Sequence, residues 1–228
     1  METILGIDTS SSELSVALIK GGRPETLFSR YARNSHSDLI SKGVDFVLQS
    51  SGLFPDDVDA FAVSSGPGSF TGLRIGVSFV KGFLFLKQKP VMEISSLEVL
   101  GGSVPVYSGS VAVGFDARKG FLYSALFKKE GNALTRITED RFLHFSDFKK
   151  ELASDTYVVI DNMGYKPGFP MEELRDSYPL LTPDDIPVPR ALTCALTAWS
   201  MRESPELWTD ASVIEPRYMQ RSYAERKE

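Results

Sequence analysis

One cysteine, Cys194, and two histidines, His36 and His144, stand among 228 residues. A lone thiol cannot close an intrachain disulfide, and Cys/His zinc clusters of the usual kind are excluded by count. Positive charge is also short: 25 Lys and Arg against 30 Asp and Glu leave a net charge of −5. The surface as a whole therefore repels a phosphate backbone, and any nucleic-acid contact must be local or shared with a partner. No apolar run reaches the ~20 residues that span a bilayer. The most apolar stretch, 73–86, is interrupted by Arg74, Gly76, Lys81 and Gly82. Met1-Glu2-Thr3 carries no basic region and leads into an apolar strand without a small-residue cleavage site, so the chain is expected to be cytoplasmic and to make no membrane contact.

Hydrophobic residues make up 42% and charged residues 24%, proportions of a folded globular chain rather than a disordered one. At ~150 residues per domain the length falls between one large domain and two small ones. The order of elements favours two. Ile4-Leu5-Gly6-Ile7-Asp8 is a buried strand ending in a carboxylate, and Leu14 to Lys20, the turn Gly21-Gly22 and Thr26 to Tyr31 form a hairpin. From Ser37 a 3.6-residue period takes over, with Leu39, Ile40, Val44, Val47 and Leu48 on one stripe as far as Ser51-Gly52. A strand from Ala60 to Ser64, a glycine-rich loop from Gly66 to Gly72 and an apolar helix from Leu73 to Leu86 follow.

The second half repeats that order: a strand Val111 to Phe115 ending in Asp116, a strand Leu122 to Lys129, a turn, and a return from Leu134 to Thr138. Placing Asp8 on Asp116 sets an offset of 108 residues, which also superposes Ala17 on Ala125, Leu18 on Leu126 and Lys20 on Lys128. A helical patch (Phe145 to Leu152), a strand (Tyr157 to Asp161) and a helix (Arg190 to Met201) complete it, with the Pro/Gly-rich stretch from Tyr165 to Pro189 expected to be loop or irregular insertion. Each half reads β-β-β-α-β-α, an α/β arrangement. The repeat is too long for a solenoid unit and implies a duplicated domain, divided here as residues 1–104 and 105–228.

Two such halves with an Asp closing each first strand resemble the sugar kinase, Hsp70 and actin superfamily, which implies duplicated actin-like ATPase (ribonuclease H-like) domains. More particular are Ile4-Leu5-Gly6-Ile7-Asp8-Thr9-Ser10, His36-Ser37, the block Ser65-Gly66-Pro67-Gly68-Ser69-Phe70-Thr71-Gly72-Leu73-Arg74-Ile75-Gly76, Asp116-Ala117-Arg118, and Pro216-Arg217-Tyr218-Met219-Gln220-Arg221. Together these resemble the TsaB family, also called YeaZ, the bacterial tRNA threonylcarbamoyladenosine biosynthesis proteins, sometimes grouped with glycoprotease-like proteins. The resemblance implies a degenerate, non-catalytic paralogue of the catalytic subunit TsaD. With TsaD and the ATPase TsaE, such a chain supports threonylcarbamoylation of the adenosine 3′ of the anticodon in tRNAs reading codons that begin with A. It further implies no tightly bound cofactor, ATP being used by the complex, with tRNA met through the complex and a homodimer formed when the chain is alone.

Taken residue by residue, Asp8, Thr9 and Ser10 are the candidates for binding phosphate and ordering Mg²⁺ or water; the other reading is a turn capped by Asp8 with local hydroxyl bonds. Arg118 stands where a phosphate loop would want Gly or a hydroxyl; it either binds an anion through its planar fork or pairs with Asp116 or a partner's carboxylate. The Gly66–Gly72 loop enters a helix N-terminus, an anion-friendly place, with Thr71 or Ser69 as N-cap. It has no Gly-Lys-Ser/Thr and is not a Walker A loop, and a tight strand-to-helix connection explains its glycines equally. The helix after it has little polar face and must be covered nearly all round. It is either a central core helix or, through Gly72, Leu73, Gly76 and Val80 together with Leu39 and Val47 of the preceding helix, the surface that binds TsaD or a second copy.

His36 reads as a cap or surface residue, His144 lies at a strand-to-helix connection, and Cys194 reads as core. The catalytic relatives carry a His-x-x-x-His metal pair that this sequence lacks. The tail from Arg217, with Arg221, Arg226, Lys227, Tyr218 and Tyr223, reads either as a frayed terminus or as a contact for tRNA or a partner. Two rival activities remain: an ATP-dependent small-molecule kinase of the same superfamily, and a glycoprotease-like hydrolase.

Overall fold

A computed structural model describes residues 1–31, 35–163 and 171–220. In the first lobe β1 (Thr3–Asp8), β2 (Glu13–Lys20), β3 (Arg23–Tyr31), α1 (His36–Ser50), β4 (Ala60–Gly66), α2 (Phe70–Leu84), β5 (Pro90–Ser95) and α3 (Ser96–Ser103) follow one another. The second lobe holds β6 (Ser108–Asp116), β7 (Phe121–Glu130), β8 (Ala133–Arg136), β9 (Arg141–His144), α4 (Phe145–Lys150), β10 (Tyr157–Asp161), α5 (Met171–Arg175) and β11 (Leu180–Leu181); α6 (Arg190–Ser200) and β12 (Thr209–Asp210) come last. The sheets run β12-β5-β4-β1-β2-β3 and β11-β10-β6-β7-β8, with β9 also pairing β7. In each, a parallel centre (β1 with β4, β6 with β10) is extended by an antiparallel hairpin. These are the expected duplicated α/β halves.

Every residue of β1 is buried, because both faces of its sheet are covered and a strand in that position must be apolar throughout. The α1 and α2 helices pack Ile40, Val44, Val47, Val77 and Val80 against Leu5, Ile7 and Val16. On the other face α6 lays Ala191, Cys194, Ala195 and Ala198 against Ile4, Ala17 and Ala62. Small residues allow that approach: a Cβ on Gly6 would lie 2.2 Å from the Ala191 carbonyl oxygen. The α3 helix joins the lobes, with Leu97 and Leu100 in the second core and Val99 in the α6 cluster.

Three expectations change. The division at 104/105 separates the two sheets, but α6 and β12 return to the first, so the C-terminal residues are not confined to the second lobe. The stretch expected to be loop carries α5, with Leu174 fully buried among Phe145, Phe148 and Val158; residues 165–170 of it lie outside the described residues. The repeat slips by one after its first strand. Asp8 pairs with Ser15 whereas Asp116 pairs with Leu122, so the second connection is one residue shorter. The structural equivalent of Ala17 is thus Ser124, not Ala125. Because strand side chains alternate, that single deletion had to occur in the connection, where it leaves both hairpins facing their cores.

Candidate functional site

The carboxyl ends of β1, β6 and β10 bring Asp8, Asp116 and Asp161 to the cleft between the lobes, all with buried side chains. Around Asp8 the donors are engaged within the protein. Its carboxylate accepts the Ser10 N–H at 3.2 Å and the Ser10 hydroxyl at 3.1 Å, while the Thr9 hydroxyl donates to the Gly72 carbonyl at 2.8 Å. The Ser69 N–H donates to the Ser10 carbonyl at 2.7 Å. Ser69 is also the N-cap of α2, its hydroxyl accepting the Gly72 N–H at 3.2 Å, which decides between the two capping candidates. The glycines serve the same closure: a Cβ would sit 2.4 Å from the Ser10 carbonyl oxygen at Gly68 and 2.0 Å from that of Thr9 at Gly72. The glycine-rich loop is thus a tight lid on the β1–β2 turn. The hydroxyls of Thr9 and Ser10 and the amides of Ser10, Ser69 and Gly72 are turned onto protein atoms.

The second loop differs. Asp116 accepts the backbone N–H of Arg118 at 2.7 Å, Arg118 and Lys119 adopt left-handed φ values of 69° and 54°, and Arg118 is exposed.

Sequence reasoning missed the residue that occupies the cleft. Arg190, the first residue of α6, is 3% exposed and forms an ion pair with Asp161, itself 2% exposed. Its guanidinium carbon lies 5.5 Å from the Phe115 ring centre, and its Nη1 has no hydrogen-bond partner among the described residues. The adjacent Ala191 N–H donates to the Ser15 hydroxyl at 3.0 Å. Burial lowers the proton affinity of Arg190, but Asp161, Asp8 and Glu13 outweigh it and hold the guanidinium charged. The only hint in the sequence is a charged residue opening an otherwise apolar, small-residue helix.

Glu13 stands beside this pair. Burial raises its carboxyl above the usual range, against the Ser29 hydroxyl bond and the Arg190 charge, which lower it; Asp8 and Asp161 raise it further. The folded state therefore holds this proton more tightly than the unfolded chain, so the contribution to stability is full below about pH 4.5 and lost as pH rises through the elevated value. Glu13→Gln, neutral throughout, is expected to raise Tm near pH 7 and to give no gain well below pH 4.5; an equal gain at both pH values in thermal melts would contradict the assignment.

The six residues expected at a partner surface are placed otherwise. Gly72, Leu73, Gly76, Val80 and Val47 are buried, and Leu39 is half-buried. Gly76 faces the Thr9 hydroxyl, 2.3 Å from where its Cβ would be. The backbone that the glycines admit is thus the chain's own β1–β2 turn. Nor is α2 covered all round: Arg74, Ser78 and Gly82 are exposed along its outer side, with Ile75, Phe79 and Phe83 half-buried, and nothing lies within 4 Å of a Cβ built on Gly82.

The described part of the tail is docked, not frayed. The Arg217 N–H donates to the Ser65 carbonyl at 2.7 Å, Tyr218 stacks on Phe70 at 4.6 Å, and Arg74 lies 4.0 Å above Phe70 while donating to the Tyr218 hydroxyl at 2.8 Å. Arg221, Tyr223, Arg226 and Lys227 lie outside the described residues. His36 is the first residue of α1, 8% exposed, with Ser35 as N-cap. His144 caps α4 by accepting the Ser146 N–H at 3.3 Å. Cys194 is fully buried, and burial together with the Asp8 charge pushes its thiol far above the ordinary value, the state of an inert core residue. Among the described residues no group of three His, Cys, Asp or Glu is placed to hold a metal ion, and no helix is long and apolar enough to cross a membrane.

Comparison with known proteins agrees with this architecture. The family model for TsaD, tRNA N6-adenosine threonylcarbamoyltransferase, matches residues 25–173. The tRNA threonylcarbamoyladenosine biosynthesis protein TsaB of Bacillus subtilis is 31% identical over 158 residues, 69% of each chain. The protein of the same description from Escherichia coli is 33% identical over 133 residues, 58% of this chain and 57% of that one. Among solved structures, YeaZ from Pseudomonas aeruginosa superposes with a TM-score of 0.76 at 25% identity, over 96% of this chain and 100% of the other.

Proposed function

The chain belongs to the TsaB family of tRNA threonylcarbamoyladenosine biosynthesis proteins, and from that membership we propose that it is a non-catalytic subunit of the threonylcarbamoylation machinery. It acts by binding and shaping the catalytic subunit TsaD, in concert with the ATPase TsaE, and meets tRNA through that complex. Most directly, this reading is supported by the cleft, where a catalytic relative would need phosphate-binding donors and this chain spends them internally: Ser10, Thr9 and Ser69 bond to protein atoms and Arg190 fills the space beside Asp161. We infer that the chain holds no nucleotide tightly, that Asp8, Thr9 and Ser10 shape a turn, and that ATP is consumed elsewhere in the complex. The outer side of α1 and α2, with Ser78, Gly82, Ile75, Phe79 and Leu39, is the surface we assign to TsaD, and to a second copy when the chain is alone. A net charge of −5 fits a subunit that leaves most of the tRNA backbone to its partners. We place the chain in the cytoplasm with the tRNA it serves.

Two measurements on the isolated chain test this. It is expected to modify no tRNA and, in calorimetry with ATP and Mg²⁺, to give no binding heat. Tight binding with turnover would instead support the kinase reading, and cleavage of a glycoprotein substrate the hydrolase reading.

A further inference from the structure

We propose that Arg190 is a built-in cation clamp that holds the two lobes at a fixed angle without a bound ligand. The Arg190–Asp161 pair crosses the cleft: α6 is packed on the first sheet, while Asp161 ends β10 of the second and its other oxygen accepts the Met163 N–H at 2.6 Å. The carboxylates whose charge acts on this guanidinium come from both lobes, Asp8 of β1 and Glu13 of β2 from one and Asp161 of β10, its ion-pair partner, from the other. Asp161 thus pairs directly with the one buried cation, and the charges of Asp8 and Glu13 reach it at longer range. Removing it would leave like charges facing each other out of water, a situation that costs far more than an exposed pair does. Elsewhere the lobes are tied by milder contacts: Lys129 of β7 donates to the Gly102 carbonyl at 3.0 Å, Arg136 of β8 pairs with Glu98 of α3, and the exposed Tyr31 hydroxyl of β3 donates to Asp184 at 3.4 Å. The first two lie at α3, where the chain first passes between lobes, and leave that element to act as the hinge; the Tyr31 bond is an exposed one at the edge strand. Opening at the cleft is resisted by the clamp. An Nη1 without a hydrogen-bond partner among the described residues fits a group placed for its charge rather than for saturated hydrogen bonding.

The inference stands apart from the role in tRNA modification and is tested on the chain alone. Spin labels on Lys20→Cys and Ala133→Cys, exposed positions in opposite lobes, report the interlobe distance; Cys194 is buried. The unmodified cleft is expected to give one narrow distribution. Arg190→Met, which keeps an unbranched apolar stem but drops the charged end, shifts it to longer and broader distances, and Asp161→Asn does the same. Arg190→Lys keeps the cation and returns the narrow distribution, at a lower Tm because one ammonium replaces a fork. If the folded Met and Asn variants keep the original distance, or if the Lys variant opens like the Met variant, the clamp is wrong. Should Arg190→Met prove too unstable to purify, Asp161→Asn and Arg190→Lys decide by the same comparison.

Discussion

Gly82→Arg is expected to leave the isolated chain folded and to weaken its association with TsaD by about 30-fold or more, the equivalent of ~2 kcal/mol for an unpaired charge forced into the centre of an interface. Gly82 lies on the outer side of α2, exposed, with no atom within 4 Å of an added Cβ. Replacing a mid-helix glycine there even gains up to ~1 kcal/mol of helix propensity. The same substitution six residues earlier behaves oppositely. Gly76→Arg drives a side chain into Thr9, whose hydroxyl already lies 2.3 Å from the Cβ position, and should prevent folding before any partner is met. Co-purification with TsaD, paired with a thermal melt of each variant, separates the two outcomes. A Gly82→Arg protein that binds TsaD like the parent would move the interface off this side of α2.

Gly72→Ala should be the most damaging added methyl group among the described glycines. Its Cβ would lie 2.0 Å from the Thr9 carbonyl oxygen, a backbone atom that cannot swing aside. Relief requires α2 to retreat from the β1–β2 turn. Two hydrogen bonds centred on this residue then lengthen, that from the Thr9 hydroxyl to the Gly72 carbonyl and that from the Gly72 N–H to the Ser69 hydroxyl. Overpacking of this kind costs ~1–3 kcal/mol, and a buried polar group left unpaired about as much again. A loss near 4 kcal/mol corresponds to a fall in Tm of roughly 10 °C for a chain of this size. Gly82→Ala serves as the control, neutral to slightly stabilising. If both alanine variants melt with the parent, the turn and the helix are not packed as described.

That glycine pair marks the border of what the sequence makes legible. Two glycines four apart on an apolar helix announce a close backbone approach, but spacing is silent on which backbone approaches. It is the β1–β2 turn, more than sixty residues earlier, that Gly72 and Gly76 meet, while Val47 and Val80 of the expected partner surface are buried in the first core. Local signals did better. Asp8 and Asp116 end equivalent strands, the 3.6-residue stripe of α1 buries Ile40, Val44, Val47 and Leu48, and the Ser69 cap opens α2. Repeat alignment failed where one residue was lost in a connection, since similar residues on both strands mask a slip that only cross-strand pairing exposes. Arg190 was invisible because its meaning depends on Asp161, twenty-nine residues away in another lobe, and no period or motif links a helix start to a distant strand end. The return of α6 to the first sheet has the same cause: Ala191, Cys194, Ala195 and Ala198 spell a helix with a narrow, close-packing face, while its destination is set by the small residues of β1, β2 and β4.

The division of labour proposed for the chain rests on its being necessary without being catalytic. The direct measurement is threonylcarbamoylation of tRNA in a mixture of TsaD, TsaE, ATP, Mg²⁺ and threonylcarbamoyl adenylate, with this chain present, omitted, or replaced by Gly82→Arg. Modification that depends on the chain and falls with the Gly82 variant is the predicted result, whereas equal modification with the chain omitted would contradict it.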